Sequence, residues 1–191
     1  MEKVNKISTK KSIMAYLHDL TILLAVMLAA FLLVFRIVVV SGPSMMSTLI
    51  DGDYLIVVNQ MFAGEPKQGD IVVISKADYD NGTPIIKRVI ATEGQQVVIK
   101  DDKVFVDGIE LAEPYIHGLP TLSPNADEYV ITVDPGCVFV LGDNRIVSKD
   151  SRSNQIGQID CREILGKAIF CIWPGANSSG NRDFSRVGGV E

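Results

Sequence analysis

The sequence from residue 20 to residue 49 reads LTILLAVMLAAFLLVFRIVVVSGPSMMSTL. Residues 20–35 contain no charged side chain, and Arg36 is the first charge to interrupt the apolar run. A helix over these residues rises by about 24 Å, and extending it to residue 40 brings it close to the roughly 30 Å of a bilayer core. The sequence therefore predicts a membrane anchor over residues 20–40, followed directly by a serine in a Gly-Pro turn.

Two other interpretations of the apolar run are weaker. A cleavable signal peptide would suit the basic N-terminus, but the run is longer than a typical hydrophobic region of a signal peptide. No Ala-x-Ala-like site follows it either. A buried core helix of a soluble protein would show a polar face, which this run lacks. A retained anchor is the interpretation that its length favours.

The charges on either side of the run predict its orientation. Before it lie Lys3, Lys6, Lys10 and Lys11, and the first charges after Arg36 are Asp51 and Asp53. An excess of lysine in a short flank places that flank in the cytoplasm. We therefore expect residues 1–19 to form a short cytoplasmic leader and the chain beyond residue 40 to lie outside the cytoplasm.

Beyond residue 40 the pattern changes to short runs rich in β-branched residues, bounded by Gly-Asp, Asn-Gly and Pro-Gly turns. The predicted strands are Tyr54–Asn59, Asp70–Ile74, Ile85–Ala91, Gln96–Ile99, Val104–Val106, Glu128–Val133, Cys137–Leu141 and Lys167–Trp173. One helical turn is predicted at Cys161–Leu165. The fold class is therefore mostly β: a single N-terminal transmembrane helix followed by an all-β, barrel-like domain over residues 41–174.

Two segments beyond residue 40 show little strand pattern. Residues 107–127 are rich in Pro, Gly, Asn and Asp, which predicts a loop-rich excursion from the core sheets. Residues 175–191 are polar and rich in Gly and Ser, which predicts a flexible tail.

Composition excludes several classes of function. The net charge of −5 argues against a nucleic-acid partner, since phosphate is bound through an excess of Lys and Arg. Cys137, Cys161 and Cys171 have no CxxC spacing. We expect all three to be small buried hydrophobic residues rather than one disulfide and a free thiol. His18 and His117 lie far from any acidic or cysteine cluster. The sequence therefore predicts no metal site and no cofactor.

Ser44 and Lys87 are the residues that could carry chemistry. A serine nucleophile needs a base within hydrogen-bond reach, and neither histidine is suitably placed in the sequence. Strand alternation puts Lys87 on the opposite face from Ile86 and Arg88, and a lysine on an inner face is desolvated, which lowers its pKa. A Ser-Lys pair is a known nucleophile arrangement. The pattern alone also allows a non-catalytic interpretation, in which Lys87 is a solvated residue of a strand and Ser44 only helps to form a turn.

Separated segments of the chain, in order, resemble the motif boxes of type I signal peptidases, which are membrane-bound serine proteases. They are Ser41–Leu49 (compare SGxSMxPTL), Gly52–Val57 with Gly69–Val73, Ile86–Ile90 around the lysine, and Gly142–Arg152 (compare GDNRxxSxDSR). The resemblance runs from residue 20 to about residue 174. The last box is long and specific, so its coincidence with the others identifies the chain as similar to this family.

The resemblance implies a role for each matched residue. Ser44 would be the nucleophile, and Lys87 the general base that also protonates the leaving amine. Ser148 matches the serine that orients the lysine amine. The residues implied as structural support of the site are Asp143, Arg145, Asp150 and Arg152.

The oxyanion hole and two departures from the family pattern complete the expectation. The Ser44 backbone N–H is the expected first oxyanion donor, and Pro43 has none to give. Some relatives carry a hydroxyl where this chain has Gly42, so the second donor stays open. Ser47 replaces a usual proline and Gln95 a common aspartate, and we expect activity to survive both.

The resemblance also implies what the protein acts on. Its partners would be preproteins whose signal peptides have small residues at positions −1 and −3, together with the lipid bilayer. Cleavage would occur at the outer face of the cytoplasmic membrane, in the compact one-anchor, Gram-positive-like form. A non-catalytic, membrane-tethered β domain is disfavoured because Ser44, Lys87 and Ser148 are all present. A self-cleaving repressor is disfavoured by the anchor, and a specialised processing peptidase stays open.

Overall fold

The computed structural model describes residues 2–46, 48–77, 79–125, 128–177 and 179–190. The chain divides into two compact units, residues 1–35 and residues 36–191. Its helices are α1 (Glu2–Val34) and α2 (Gln60–Ala63). Its strands are β1 (Phe35–Val39), β2 (Tyr54–Asn59), β3 (Ile71–Ile74), β4 (Ile85–Thr92), β5 (Gln96–Lys100), β6 (Lys103–Val106), β7 (Ile109–Glu110), β8 (Tyr129–Thr132), β9 (Cys137–Leu141), β10 (Ile159–Asp160), β11 (Ile164–Trp173) and β12 (Gly188–Gly189).

Helix α1 contains one segment, Ile13–Val34, that is long and apolar enough to cross a membrane. Its apolar side chains are exposed rather than packed in a core, as a surface that faces lipid would be. The helix begins at Glu2, so the leader is helical too. It ends at Val34, and residues 35–39, which the predicted anchor included, form β1 instead. Three consecutive β-branched residues (Ile37, Val38 and Val39) favour a strand there, and β1 neighbours β2 in the sheet.

The second unit is built from two antiparallel sheets. Among the described residues, the larger sheet has the order β1-β2-β11-β3-β4-β9-β10, with β12 added to β11, and the smaller has the order β7-β6-β5-β8. Register shifts between Val89 and Ala91 in β4, and at three points in β11, mark β-bulges, which bend and twist a strand. The larger sheet is therefore curved, and the predicted mostly β domain behind an N-terminal apolar helix is confirmed.

Strand positions agree with the sequence pattern where the strands are long. β2 and β9 have the predicted bounds, and the other predicted strands shift by one to three residues at an end. The two-residue strands β7, β10 and β12 were not predicted, since two residues show no periodicity. The predicted helical turn at Cys161–Leu165 is shorter than expected: Cys161–Glu163 form a 3₁₀ turn, capped by Asp160, and β11 begins at Ile164.

The position of β4 sets the environment of the site. This strand lies between β3 and β9, and its residues 86–91 are all buried, so both of its faces pack against other elements. Lys87 is only 3% exposed and Arg88 only 2% exposed. A charged side chain at either position therefore leaves water, and each needs a partner or a shifted pKa.

The two segments with little strand pattern are folded where the structure describes them. The excursion contains β7 and a 3₁₀ turn at Pro114–Ile116. Ala126 and Asp127, at its end, lie outside the described residues. The tail, which the sequence predicts to be flexible, returns to the domain: β12 pairs with β11, and Phe184 packs edge-on against Trp173 at 5.2 Å between ring centroids.

Candidate active site

Ser44 lies in a tight turn that the preceding Gly-Pro pair forms. Gly42 has a φ of +87°, in the region that favours glycine, and its N–H donates to Asp51 Oδ1 at 2.9 Å. The Pro43 carbonyl accepts the Met46 N–H at 3.1 Å, which closes the turn. Met45 is 1% exposed and anchors the turn in the core. Ser44 is thus presented, half-buried, on a short and well-fixed piece of chain.

Asn144 joins this turn to the loop that follows β9. Its backbone N–H donates to the Ser44 carbonyl at 3.0 Å, and its side-chain amide donates to the Pro43 carbonyl at 3.1 Å. Two hydrogen bonds from one residue hold the turn and the loop at a fixed separation. The loop, residues 142–152, carries the last of the segments that the sequence analysis singled out.

Lys87 reaches Ser44 from β4. Its Nζ lies 2.9 Å from Ser44 Oγ and 3.0 Å from the Ile86 carbonyl oxygen. The two residues that the sequence analysis paired are therefore at hydrogen-bond distance, although they come from separate elements. At this distance a neutral amine can take the hydroxyl proton directly.

Burial lowers the pKa of Lys87 from 10.5 to about 8. The low-polarity surroundings disfavour the ammonium form. The carboxylates of Asp150 and Asp143 oppose this effect, because their negative charge favours the ammonium. Burial is the larger influence, so the neutral amine is a minor form of Lys87 at neutral pH and becomes the main form above about pH 8.

Ser148 lies beside these two residues but does not hydrogen bond to the amine in this structure. Its Oγ is buried and has no hydrogen-bond partner among the described residues. Its backbone N–H donates to the Asn144 carbonyl at 3.0 Å. A Cβ added to Gly142 would lie 2.2 Å from Ser148 Oγ and 2.5 Å from the Ser44 carbonyl oxygen. Only glycine at position 142 allows the Ser44 and Ser148 segments to come this close.

Asp143 pairs with Arg88, the residue next to Lys87. Arg88 donates from Nε to Oδ1 at 2.9 Å and from Nη2 to Oδ2 at 2.8 Å, a two-point contact between fully buried groups. The Thr48 hydroxyl also donates to Asp143. The Arg88 guanidinium lies 4.0 Å from the centre of the Tyr115 ring, which belongs to the excursion. β4, the Ser44 segment and the excursion therefore meet at Asp143 and Arg88.

The other two charged pairs of this region brace the 142–152 loop. Arg145 pairs with Glu113 of the excursion rather than with Asp143 and also donates to the Gly142 carbonyl at 3.1 Å. Asp150 accepts two hydrogen bonds from the Arg152 guanidinium at 2.9 Å each, one from the Arg152 backbone N–H at 3.3 Å and one from the Gly142 N–H at 3.1 Å. The Asp150 side chain is fully buried, so this pair is not a surface ion pair.

Several contributors to the site were not found by sequence reasoning. They are Thr48, Glu113, Tyr115 and Asn144. Thr48 and Asn144 lie in the matched segments 41–49 and 142–152, which was a usable signal, whereas Glu113 and Tyr115 lie in the 107–127 excursion, for which only a loop was predicted. Ser47 lies outside the described residues. Among the residues that the structure describes, no group of three or more His, Cys, Asp or Glu side chains is placed to hold a metal ion.

Comparison with known proteins adds independent information. The family model for signal peptidase, peptidase S26, matches residues 13–173. Signal peptidase I of Bacillus caldolyticus is 38% identical over 157 residues, which cover 75% of this chain and 82% of that protein. Signal peptidase I T of Bacillus subtilis (strain 168) is 37% identical over 166 residues, covering 81% of each. The crystal structure of a signal peptidase I from Enterococcus faecalis V583 is 27% identical and covers 55% of this chain and 97% of its own, with a TM-score of 0.45.

Proposed function

The chain belongs to the peptidase S26 family of signal peptidases and is a serine endopeptidase, and we propose that Ser44 is its nucleophile and Lys87 its general base. One observation carries this proposal: Lys87 Nζ lies 2.9 Å from Ser44 Oγ. Burial supports it, because a pKa of about 8 leaves an amine that can accept a proton. The enzyme acts on preproteins that carry signal peptides.

The reaction proceeds by acyl transfer. Neutral Lys87 Nζ takes the proton of Ser44 Oγ as the oxygen attacks the scissile carbonyl carbon. The tetrahedral intermediate then collapses, the C–N bond breaks, and Lys87 gives its proton to the leaving amine. Water then attacks the resulting Ser44 ester, with Lys87 again as the base. This step releases the signal peptide with a free carboxyl group and restores the Ser44 hydroxyl.

The Ser44 backbone N–H is the first donor to the developing oxyanion in this proposal. It donates no hydrogen bond within the part of the chain that the structure describes, so it is available to a substrate oxygen. Gly42 offers no side-chain hydroxyl as a second donor. An oxyanion donor held on a rigid turn stabilises the transition state without reorganisation.

The remaining matched residues hold these groups in place. Ser148 Oγ, buried and unpartnered among the described residues, is the hydroxyl that would orient the Lys87 amine during turnover. Asp143 acts through Arg88, the neighbour of Lys87. Arg145, Asp150 and Arg152 fix the loop that carries Ser148.

The substrate would bind in an extended conformation, as an added strand beside the chain segments that carry Ser44 and Lys87. Shallow pockets would admit only small side chains at positions −1 and −3 of the signal peptide. Whether the enzyme processes many preproteins or a narrow set is a property of those pockets. A substrate panel that varies these two positions measures it.

The protein is membrane-associated, as its apolar N-terminal helix and its relatives indicate. The topology we propose has residues 1–19 in the cytoplasm, a single span, and the catalytic unit outside. The lysines before the span support this orientation. Anchoring enzyme and substrate in one membrane raises their effective concentration.

The test of this function is cleavage of a preprotein with an Ala-x-Ala junction by the detergent-solubilised full chain, beside Ser44→Ala and Lys87→Ala. We expect the wild type alone to cut at the junction, with each substitution lowering kcat/KM at least about 10³-fold. Cleavage that survives either substitution would show that the nucleophile or base lies elsewhere. Circular dichroism of all three forms checks that the variants are folded.

A further inference from the structure

The C-terminal segment, residues 179–190, has no part in the mechanism above, yet it contacts the piece of chain that carries Ser44. Arg186 donates from Nη1 to Asp53 Oδ1 at 2.9 Å and from Nη2 to Asp53 Oδ2 at 2.7 Å. Its Nη2 also donates to the Thr48 carbonyl oxygen at 3.1 Å. One guanidinium thus holds two points of the chain on the C-terminal side of Ser44.

Asp53 is the buried centre of this contact. It is fully buried, and besides Arg186 it accepts the Ile50 N–H at 2.8 Å and the Gly175 N–H at 2.7 Å. A buried carboxylate without a cation is strongly destabilised, and Arg186 supplies the cation that pairs with Asp53 there. Asp53 in turn fixes the chain at Ile50, a few residues after the turn that contains Ser44.

Thr48 links Arg186 to β4, the strand that carries Lys87. Its carbonyl accepts from Arg186, and its hydroxyl donates to Asp143. Asp143 is bound at two points by Arg88, the neighbour of Lys87 in β4. Hydrogen bonds and an ion pair therefore connect the C-terminal segment to Arg88, which is the chain neighbour of the base Lys87.

We propose that Arg186 is a positioning residue for the peptidase reaction: by holding Asp53 and the Thr48 carbonyl, it sets the position of Ser44 relative to Lys87. This inference rests on the proposed role of Ser44 as the nucleophile. A displacement of about 1 Å between reacting groups can lower a rate about 10²-fold, so a residue that acts only through geometry still has a measurable effect on kcat.

The same segment supplies a matched control. Arg182 also belongs to the tail, and its guanidinium donates to the Pro174 carbonyl and lies 5.7 Å from the centre of the Trp173 ring. These partners lie at the end of β11 and just after it, next to Gly175, but Arg182 itself donates to no residue of the 40–53 segment within the described chain. Removing Arg182 therefore weakens the attachment of the tail while leaving the contacts at Asp53 and Thr48 in place.

The experiment compares Arg186→Ala, Arg186→Lys and Arg182→Ala in the detergent-solubilised full chain, with kcat, KM and the thermal unfolding midpoint measured for each. For Arg186→Ala we expect kcat to fall about 10- to 100-fold, KM to change less than about threefold, and the loss to persist well below the unfolding midpoint. Arg186→Lys keeps the charge but loses the two-point contact, so it recovers part of kcat. Arg182→Ala stays within about twofold of the wild type.

The pH profile separates positioning from a change at the base. Burial, Asp150 and Asp143 determine the pKa of Lys87, and Arg186 is not among these influences. The midpoint of the activity profile of Arg186→Ala therefore stays at the wild-type value while its plateau falls. The double variant Asp53→Asn/Arg186→Ala should lose little more kcat than either single variant. Both substitutions break the same contact, the one between Arg186 and Asp53.

Three results would overturn the inference: kcat of Arg186→Ala within twofold of the wild type, an equal loss in Arg182→Ala, or a loss that merely follows the unfolded fraction. Ser44→Ala in the same assay distinguishes this failure from that of the proposed function. If Ser44→Ala is inactive and Arg186→Ala is fully active, only the positioning role fails. If Ser44→Ala is active, the assignment of the nucleophile fails.

Discussion

Lys87 Nζ lies 2.9 Å from Ser44 Oγ, although the two residues are 43 positions apart in the chain. The lysine is fixed by its register in the sheet, opposite Val72 of β3. The serine is fixed by a turn whose carbonyls are bound by Asn144. Each group is therefore positioned by contacts other than their mutual hydrogen bond, so the pair is preorganised by the fold.

The pH dependence of cleavage follows from the pKa of Lys87, which burial lowers to about 8. Below this pH the amine is protonated and cannot accept the Ser44 proton, so kcat/KM falls as the pH decreases. We expect kcat/KM to rise from pH 6, pass its midpoint near pH 8 and level off above pH 9. Initial rates on a preprotein across this range measure it, and a flat profile would contradict a lysine base.

Asp150→Asn should move this midpoint to lower pH. The Asp150 carboxylate favours the charged form of Lys87 and so raises its pKa, and the neutral amide removes that effect. Loss of the pairing with Arg152 also lowers stability, but the midpoint of a profile does not depend on the fraction of folded enzyme. Glu110→Gln, at an exposed position in the smaller sheet, is the charge-matched control and leaves the midpoint unchanged. A shift to higher pH in Asp150→Asn would refute this electrostatic account.

The buried pair of Asp143 and Arg88 should contribute much more to stability than the exposed pair of Lys103 and Glu110. Asp143→Ala leaves a guanidinium that is 2% exposed without its carboxylate, and breaking such a pair costs about 3–5 kcal/mol of unfolding free energy. Glu110→Ala should cost less than about 1 kcal/mol, because both partners are about half exposed. Urea unfolding followed by circular dichroism compares the two, and similar costs would show that Arg88 finds another partner.

Gly142→Ala should lower both stability and activity. The added Cβ would stand 2.2 Å from Ser148 Oγ and 2.5 Å from the Ser44 carbonyl oxygen, so the Ser44 turn or the loop must move. Overpacking of this kind costs about 1–3 kcal/mol, and the displaced serine lowers kcat about 10-fold or more. Gly188→Ala is the control, since a Cβ there meets nothing within 4 Å. Normal activity in Gly142→Ala would mean that the close approach of these segments is not needed for catalysis.

The sequence predicted the parts of the fold that local periodicity encodes. β2 and β9 had the predicted bounds because each is a run of alternating or continuous apolar residues between turn signals. The end of the membrane helix was placed too late, because Ile37, Val38 and Val39 suit an apolar span and a strand equally well. Only pairing next to β2 distinguishes the two, and a partner strand is not visible in a local window.

The sequence also predicted some residues of the site and not others. Ser44 and Lys87 were predicted from their residue types and from the family resemblance of the segments that contain them. The structure places them at hydrogen-bond distance. Strand alternation alone suggested one inner face for Lys87, whereas both faces of β4 are buried, so Arg88 needs a buried partner of its own. The partner of Arg145 was not predictable, because Glu113 approaches it from a loop-rich excursion with no periodic signal.

The tail shows the limit of composition as a guide. A Gly- and Ser-rich segment usually lacks the apolar area needed to order it, yet Arg186 and Phe184 attach this one to the domain. Two anchoring side chains within a polar stretch do not change its average composition. The contacts of the tail therefore emerge only from the three-dimensional structure.

Direct titration of the Lys87 amine tests whether this lysine is the base for Ser44. The full chain, labelled with ¹³C at the lysine Cε positions and solubilised in detergent, is followed by NMR from pH 6 to pH 11, and Lys87→Ala identifies the Lys87 signal by its loss. We expect one lysine to titrate with a midpoint near pH 8, coincident with the midpoint of kcat/KM. A Lys87 signal that titrates above pH 10, while activity still rises near pH 8, would contradict it.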